Sequence, residues 1–151
     1  MADHFSGIDE IRPGNFVFYD LMQLSIGSCA PGQIAVAMAC PVVAIHKERN
    51  EMLIYGGGVH FSKDLIQING IPIYGQVVEK ENDGWDKIIP KMIVKRFSQE
   101  HGILHLPKEL ENTFAVGDTV YILPVHSCMT ADIYRKYLTI EGKEVTRFNH
   151  S

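Results

Sequence analysis

The sequence predicts an all-β domain, a closed or partly open antiparallel β-barrel with few short helical turns. Three observations predict it. The apolar segments are short, and they are rich in Val, Ile, Tyr and Phe, residues that fit a pleated, half-buried surface. Gly, Pro, Asn and Asp separate them, which is the punctuation of strands and not of long helices. Roughly eight such segments at turn-like spacing favour closure, because a closed sheet has no exposed edges.

Taken in chain order, residues 16–19 follow the turn formers Pro13-Gly14-Asn15 and read as the first strand. Residues 33–46 read as one long or bent strand, where Pro41 demands an edge or a bulge because it has no N–H for the ladder. Residues 52–55, 73–79, 92–97, 120–123, 137–140 and 144–148 complete the set. An exposed hairpin tip is predicted at 80–84, since Asp83-Gly84 favours positive φ. Helical signal is confined to single turns at 107–111 and 130–134, the second with Thr130 as N-cap.

An apolar share of 46% and a charged share of 21% are ordinary for a soluble globular domain. A length of 151 residues suits one compact unit, so residues 1–151 are read as a single domain. The formal net charge of -4, with both signs interleaved, leaves no basic stripe to neutralise phosphates and argues against a nucleic-acid partner. The apolar run 34–45 is interrupted by Cys40-Pro41 and ends at His46-Lys47-Glu48-Arg49, too short to span a bilayer, so no membrane partner is expected. Because the first residues lack the basic-then-apolar pattern of a signal peptide, a cytoplasmic location is the expectation. Three widely spaced cysteines in such a chain do not suggest a disulfide framework. Cys29 and Cys40 flank a strongly apolar stretch and read as core.

The segment that carries chemistry is 116–130, where Gly117-Asp118 supplies a turn, 119–123 a strand, and His126-Ser127-Cys128 follows Pro124. If the tail stays extended, side chains two apart point the same way, so His126 and Cys128 converge on one ion. An imidazole with a thiolate suits zinc better than magnesium or calcium. On spacing alone, a buried thiol beside a hydrogen-bonded histidine is the commoner use of such a pair. Gly56-Gly57-Gly58 suits either close backbone approach to a ligand or a barrel bend. His101, preceded by Glu100, reads either as an acid–base or ligand-orienting group or as a turn histidine bonded to a carboxylate.

Four ordered stretches carry a resemblance: Arg12 through Asp20 with Ile26-Gly-Ser-Cys29; Tyr55-Gly-Gly-Gly58 with Phe61-Ser62-Lys63-Asp64; Ser98-Gln-Glu-His-Gly102; and Gly117-Asp118 through Pro124-Val-His126-Ser-Cys128. Together they resemble the C-terminal β-domain of the eukaryotic-type D-serine dehydratase and D-threonine aldolase family, pyridoxal-phosphate enzymes of the alanine racemase-like group. The resemblance implies that His126 and Cys128 are ligands of a catalytic zinc ion; a third would come from His60, His101, Glu100 or water, among which the sequence does not choose. Residue type, and not the resemblance, makes Glu100 and His101 candidate catalytic groups and Gly57, Gly58 and Ser62 candidate cofactor contacts. Aldolase members tend to carry Asp in place of the cysteine, so Cys128 leans toward the dehydratase type.

The same resemblance implies a D-amino acid substrate, a homodimer, and pyridoxal phosphate held on a lysine of an N-terminal α/β barrel. A barrel of roughly 200–250 residues has no room in this chain, so that domain or subunit is expected from elsewhere and the chain by itself is expected to be inactive. Elimination of a β-hydroxyl or retro-aldol cleavage is the implied chemistry. The alternatives are a stand-alone, non-catalytic binding or dimerisation module and an accessory domain of an alanine racemase-like protein.

Overall fold

A computed structural model describes residues 5–12, 14–81, 84–85 and 87–147 of the chain. Six strands close into an antiparallel barrel: β1 (Met38–His46), β2 (Glu51–Tyr55), β5 (Gly75–Val78), β6 (Ile88–Phe97), β7 (His101–His105) and β8 (Thr119–Pro124). Their order around the barrel is β1-β2-β7-β6-β5-β8, and pairing of β8 with β1 closes it. Two hairpins stand outside, β3 (Ile66–Ile68) with β4 (Ile71–Ile73), and β9 (Lys136–Leu138) with β10 (Glu144–Thr146). Helices α1 (Leu21–Ser25) and α2 (Ser127–Asp132) are short. The all-β barrel class read from the sequence is the class observed.

Alternation along the strands decides what fills the barrel. Cys40 and Val42 of β1, Met52 and Ile54 of β2, Val77 of β5, Met92 and Val94 of β6, Leu104 of β7 and Val120 and Ile122 of β8 form one buried cluster. Their neighbours Val78 and Leu123 point to the opposite face. There they build a second core with Leu21 of α1, Ile34, Ile73 and Val125. Strand β5 is buried on both faces for this reason.

Two irregularities have local causes. Pro41 sits at the last pair of the β8 ladder, opposite Thr119, and just before the β2 ladder begins at Val42, so its missing N–H breaks no bond. In β6, Lys91 takes a left-handed φ of 62° beside Pro90, and the register against β5 shifts. The buried Gln76 amide spans this bulge by donating to the carbonyls of Ile89 (2.9 Å) and Met92 (3.1 Å), supplying the bonds the ladder loses.

Several expectations are corrected. Residues 15–18 form a turn, so 16–19 is not a strand; Phe16 and Val17 are exposed, no strand among the described residues pairs with them, and Tyr19 has a φ of 51°. Of 33–46 only Met38–His46 is strand, preceded by a single 3-10 turn at Pro31–Gln33. The stretch 73–79 divides at Tyr74 into β4 and β5, which lie in different sheets. Strand β7 had no counterpart in the sequence reading. The helical turn placed at 130–134 starts earlier, at Ser127, with His126 and not Thr130 as N-cap. Strands read at 137–140 and 144–148 are Lys136–Leu138 and Glu144–Thr146, and Phe148 lies outside the described residues. At the 80–84 tip Glu81 bridges to Gly84; Asn82 and Asp83 lie outside the described residues, as does Pro13 of the first turn.

Ile122 is fully buried where β8 crosses the barrel interior. Replacing it with alanine is expected to lower unfolding free energy by about 2–5 kcal/mol, through lost transfer energy and the cavity left behind. Urea denaturation of the two proteins measures the difference.

Candidate metal centre

The barrel delivers its candidate ligands from two elements. Strand β8 ends at Pro124, Val125 is buried in the outer core, and His126 is the last extended residue, with φ -129° and ψ 95°. The chain then turns into α2, so Cys128 lies on helix and not on strand. The premise that the tail stays extended through Cys128 therefore fails, and strand alternation does not align the two side chains. The cause is local. The N–H (3.2 Å) and hydroxyl (3.0 Å) of Thr130 both donate to the His126 carbonyl, which winds the first turn.

A buried carboxylate fixes where that turn begins. Asp20 is 1% exposed, and its Oδ2 accepts from the Ser127 N–H at 2.9 Å and from the Asn15 amide. Its Oδ1 caps α1 through the Gln23 N–H at 2.9 Å. The Ser127 hydroxyl donates to Oδ1 of the Asn15 side chain at 2.9 Å, and the Met22 N–H to the backbone carbonyl of Val125. No buried side-chain polar atom among the described residues lacks a partner.

The His126 imidazole is partly exposed, and its Nδ1 lies 2.7 Å from Oδ2 of Asp64. A carboxylate only accepts, so Nδ1 carries the proton, and in the neutral ring Nε2 keeps its lone pair free. That is the tautomer a metal-binding histidine uses, held by the carboxylate partner such histidines commonly have. Cys128 is exposed, and it lines an open groove of about 550 Å³ with Phe61, Ser62, Met129, Asp132 and Ile133. An imidazole with a free ring nitrogen and an accessible thiol are donors that suit zinc. Among the described residues no group of three or more His, Cys, Asp or Glu side chains is arranged around one ion position.

The remaining candidates lie beside this arrangement. His60 and His101 flank the Tyr55 ring edge-on, with centroids 4.9 and 5.7 Å away. His60 Nδ1 accepts from the Gly57 N–H at 3.2 Å. Glu100 has an exposed side chain, and its carbonyl accepts from Gly56 in the tight Ser98–His101 turn. A Cβ on Gly57 would stand 2.5 Å from the Glu100 carbonyl carbon and the His101 nitrogen. A Cβ on Gly102 would stand 2.8 Å from the Gly56 oxygen. The close approach that these glycines permit is thus made by the chain's own backbone. Ser62 is buried, with its Oγ 3.4 Å from the Asp64 N–H, and Gly58 packs against the Lys63 stem.

Sequence reasoning passed over Asp64 and Asp20. Both stood in quoted stretches, Asp64 closing Ser62-Lys63-Asp64 and Asp20 closing the opening run. The other thiols are different in kind. Burial pushes Cys40 up to about 12, and burial followed by the nearby Asp20 carboxylate raises Cys29, so neither is an available thiolate. Burial likewise pushes Tyr134 up to about 12, where its hydroxyl donates to the His60 carbonyl at 3.2 Å.

Comparison with known proteins gives the chain its family. The family described as the putative serine dehydratase domain matches residues 35–140, and the chain belongs to this family. The D-serine dehydratase of Dictyostelium discoideum is 31% identical over 141 residues, covering 90% of this chain and 34% of that protein. The D-threo-3-hydroxyaspartate dehydratase of Delftia sp. is 27% identical over 146 residues, covering 90% and 37%. The chain thus spans about a third of the length of the curated relatives it matches. The solved structure of the Delftia enzyme superposes with a TM-score of 0.72 over 86% of this chain and 36% of its own, at 26% identity. An alanine racemase-like protein from Idiomarina loihiensis gives 0.70 over 85% and 35%, at 31% identity. Structures of the Delftia enzyme include a histidine-to-alanine variant and a cysteine-to-alanine variant two positions further on, the latter in a metal-free form.

Two measurements follow from these surroundings. Cys128 is expected to react with iodoacetamide in the folded chain while Cys40 is spared until denaturant is added, as peptide mass spectrometry would show. Cys40 and Tyr134 are neutral in both states at neutral pH, and in alkali the unfolded chain ionises them first, near 9.0 and 10.0, while the folded chain holds both to about 12. Stability is therefore expected to be fully present below pH 9.0 and to fall as pH rises toward 12. Chemical denaturation across that range, with Cys40→Ala showing a shallower decline, checks the sign.

Proposed function

We propose that this chain is the metal-carrying β-domain of a pyridoxal-phosphate-dependent lyase acting on a D-amino acid with a β-hydroxyl group, of D-serine dehydratase type. The single observation that carries the reading is the Asp64–His126 hydrogen bond, which leaves Nε2 free two residues from an exposed cysteine. The family membership and the histidine and cysteine variants of the Delftia enzyme support it.

His126 through Nε2 and Cys128 through Sγ would hold the ion. When bound, zinc supplies a Lewis acid toward a β-hydroxyl oxygen, which otherwise leaves as hydroxide, a poor leaving group. Pyridoxal phosphate, an electron sink for the carbanion after α-proton loss, would come from an α/β-barrel domain or subunit outside this chain. Two protein ligands leave coordination positions for water and substrate, as a catalytic site needs. Asp64 fixes the tautomer and direction of His126, and Ser62 and Phe61 form the groove wall facing Cys128. His60 and His101 remain candidates for a further ligand or for an acid–base role, and Gly58 for a cofactor contact. The enzyme as a whole is read as a cytoplasmic homodimer.

A second reading is favoured by the closed barrel, which buries its own core without another domain. In that reading the chain is a stand-alone binding or dimerisation module. Zinc content tests the metal-carrying reading. Purified chain is expected to carry close to one equivalent by elemental analysis, and His126→Ala and Cys128→Ala are each expected to lose it. Equal trace metal in all three proteins would remove the metal-carrying reading.

A further inference from the structure

The stretch Arg12 to Asp20 has no part in the proposed ligand set, yet its last residue bonds the residue that separates the two ligands in sequence. We infer that Asp20 is a positioning residue for the metal site: its buried carboxylate fixes the start of α2 and so the relative placement of His126 and Cys128. The inference rests on the reading of those two residues as ligands.

The residue joined to Asp20 is Ser127, which stands between the ligands in sequence. Oδ2 of Asp20 accepts its N–H at 2.9 Å. This is the first residue of α2, so the bond settles the position at which extended chain becomes helix. Moving that transition by one residue would turn Cys128 about 100° around the helix axis relative to His126. Two further contacts keep the carboxylate from turning away. Oδ1 is committed to the Gln23 N–H, and Asn15 bridges by donating to Oδ2 and accepting from the Ser127 hydroxyl. Asp20 thus joins the N-termini of α1 and α2, and the Met22 N–H to Val125 carbonyl bond runs parallel to it.

Burial makes the arrangement specific. At 1% exposure no water is available to replace a lost partner, and a mismatched group there carries the full desolvation cost. Asp20→Asn tests this with almost no change of shape. Its amide oxygen can still cap α1, because Asn is as good an N-cap as Asp. Its NH₂ then faces the Ser127 N–H and the Asn15 NH₂, three donor groups with no acceptor among them. Asp20→Ser is the second variant, since a serine oxygen caps α1 but is too short to reach Ser127.

The experiment is cobalt(II) titration of the purified chain, following the thiolate-to-cobalt charge-transfer band. Circular dichroism and thermal melting of each variant run alongside. The wild-type chain is expected to give the band, and Asp20→Asn and Asp20→Ser are expected to bind cobalt about 10–100-fold more weakly, with far-ultraviolet spectra unchanged. A shifted or weakened band at saturation, which a purely stabilising role would not produce, is the mark of altered thiolate placement. If both variants fold and bind cobalt with wild-type affinity and spectrum, the role of Asp20 is overturned and the ligand assignment stands. If the wild-type chain gives no band, the ligand assignment fails and the role of Asp20 with it.

Discussion

The β1–β8 ladder is the contact on which the molecule turns, because it converts five neighbouring antiparallel pairs into a ring without edges. Its cost is the loop-closure entropy of bringing distant strands together. Its return is an interior in which every strand offers alternate side chains to a shared core. Pro41 and Gly117-Asp118 mark the point of closure. The Val42 N–H donates to the Asp118 carbonyl, Gly117 takes a φ of 98°, and its own N–H returns to Val42. The register of β8 is thereby set, and with it the depth at which Pro124 releases the chain toward the groove.

Beyond that point the structure changes from apolar packing to polar bonding. Val125 is the last buried residue of the outer core cluster; His126, Ser127 and Thr130 are held by hydrogen bonds to Asp64, Asp20 and the helix itself. Each of these partners comes from a different part of the chain. Asp64 follows the glycine loop after β2, whereas Asp20 opens α1. A site assembled this way depends on several loops keeping their places, and the barrel is the common frame that fixes them.

How much of this was legible depends on the range of the signal. Strands β2, β6 and β8 were readable because Met52 and Ile54, Met92 and Val94, and Val120 and Ile122 alternate inward as a half-buried strand requires. Residues 16–19 carry an equally apolar run and yet form no strand, since no neighbouring strand among the described residues is there to pair with them. Strand β7 was missed for the opposite reason. His101-Gly-Ile-Leu-His105 looks weak alone, but β2 and β6 flank it on both sides and supply its order. His126 and Cys128 could be found because motif order survives in sequence. Asp64 and Asp20 could not be assigned their roles, being 62 and 107 residues from the groups they bond. The helical bend after His126 was hidden by the same distance, because the carboxylate that starts it is remote.

The interlock at Gly57 carries its own consequence. With the Gln99–His101 backbone lying where any side chain at Gly57 would stand, the β6–β7 turn and the glycine loop touch main chain to main chain, with no flexible side chain to absorb a shift. The loop continues from Gly57 through His60 to Asp64, whose carboxylate bonds the His126 imidazole. In this molecule a turn with an exposed glutamate is the backstop of the loop that carries the His126 partner.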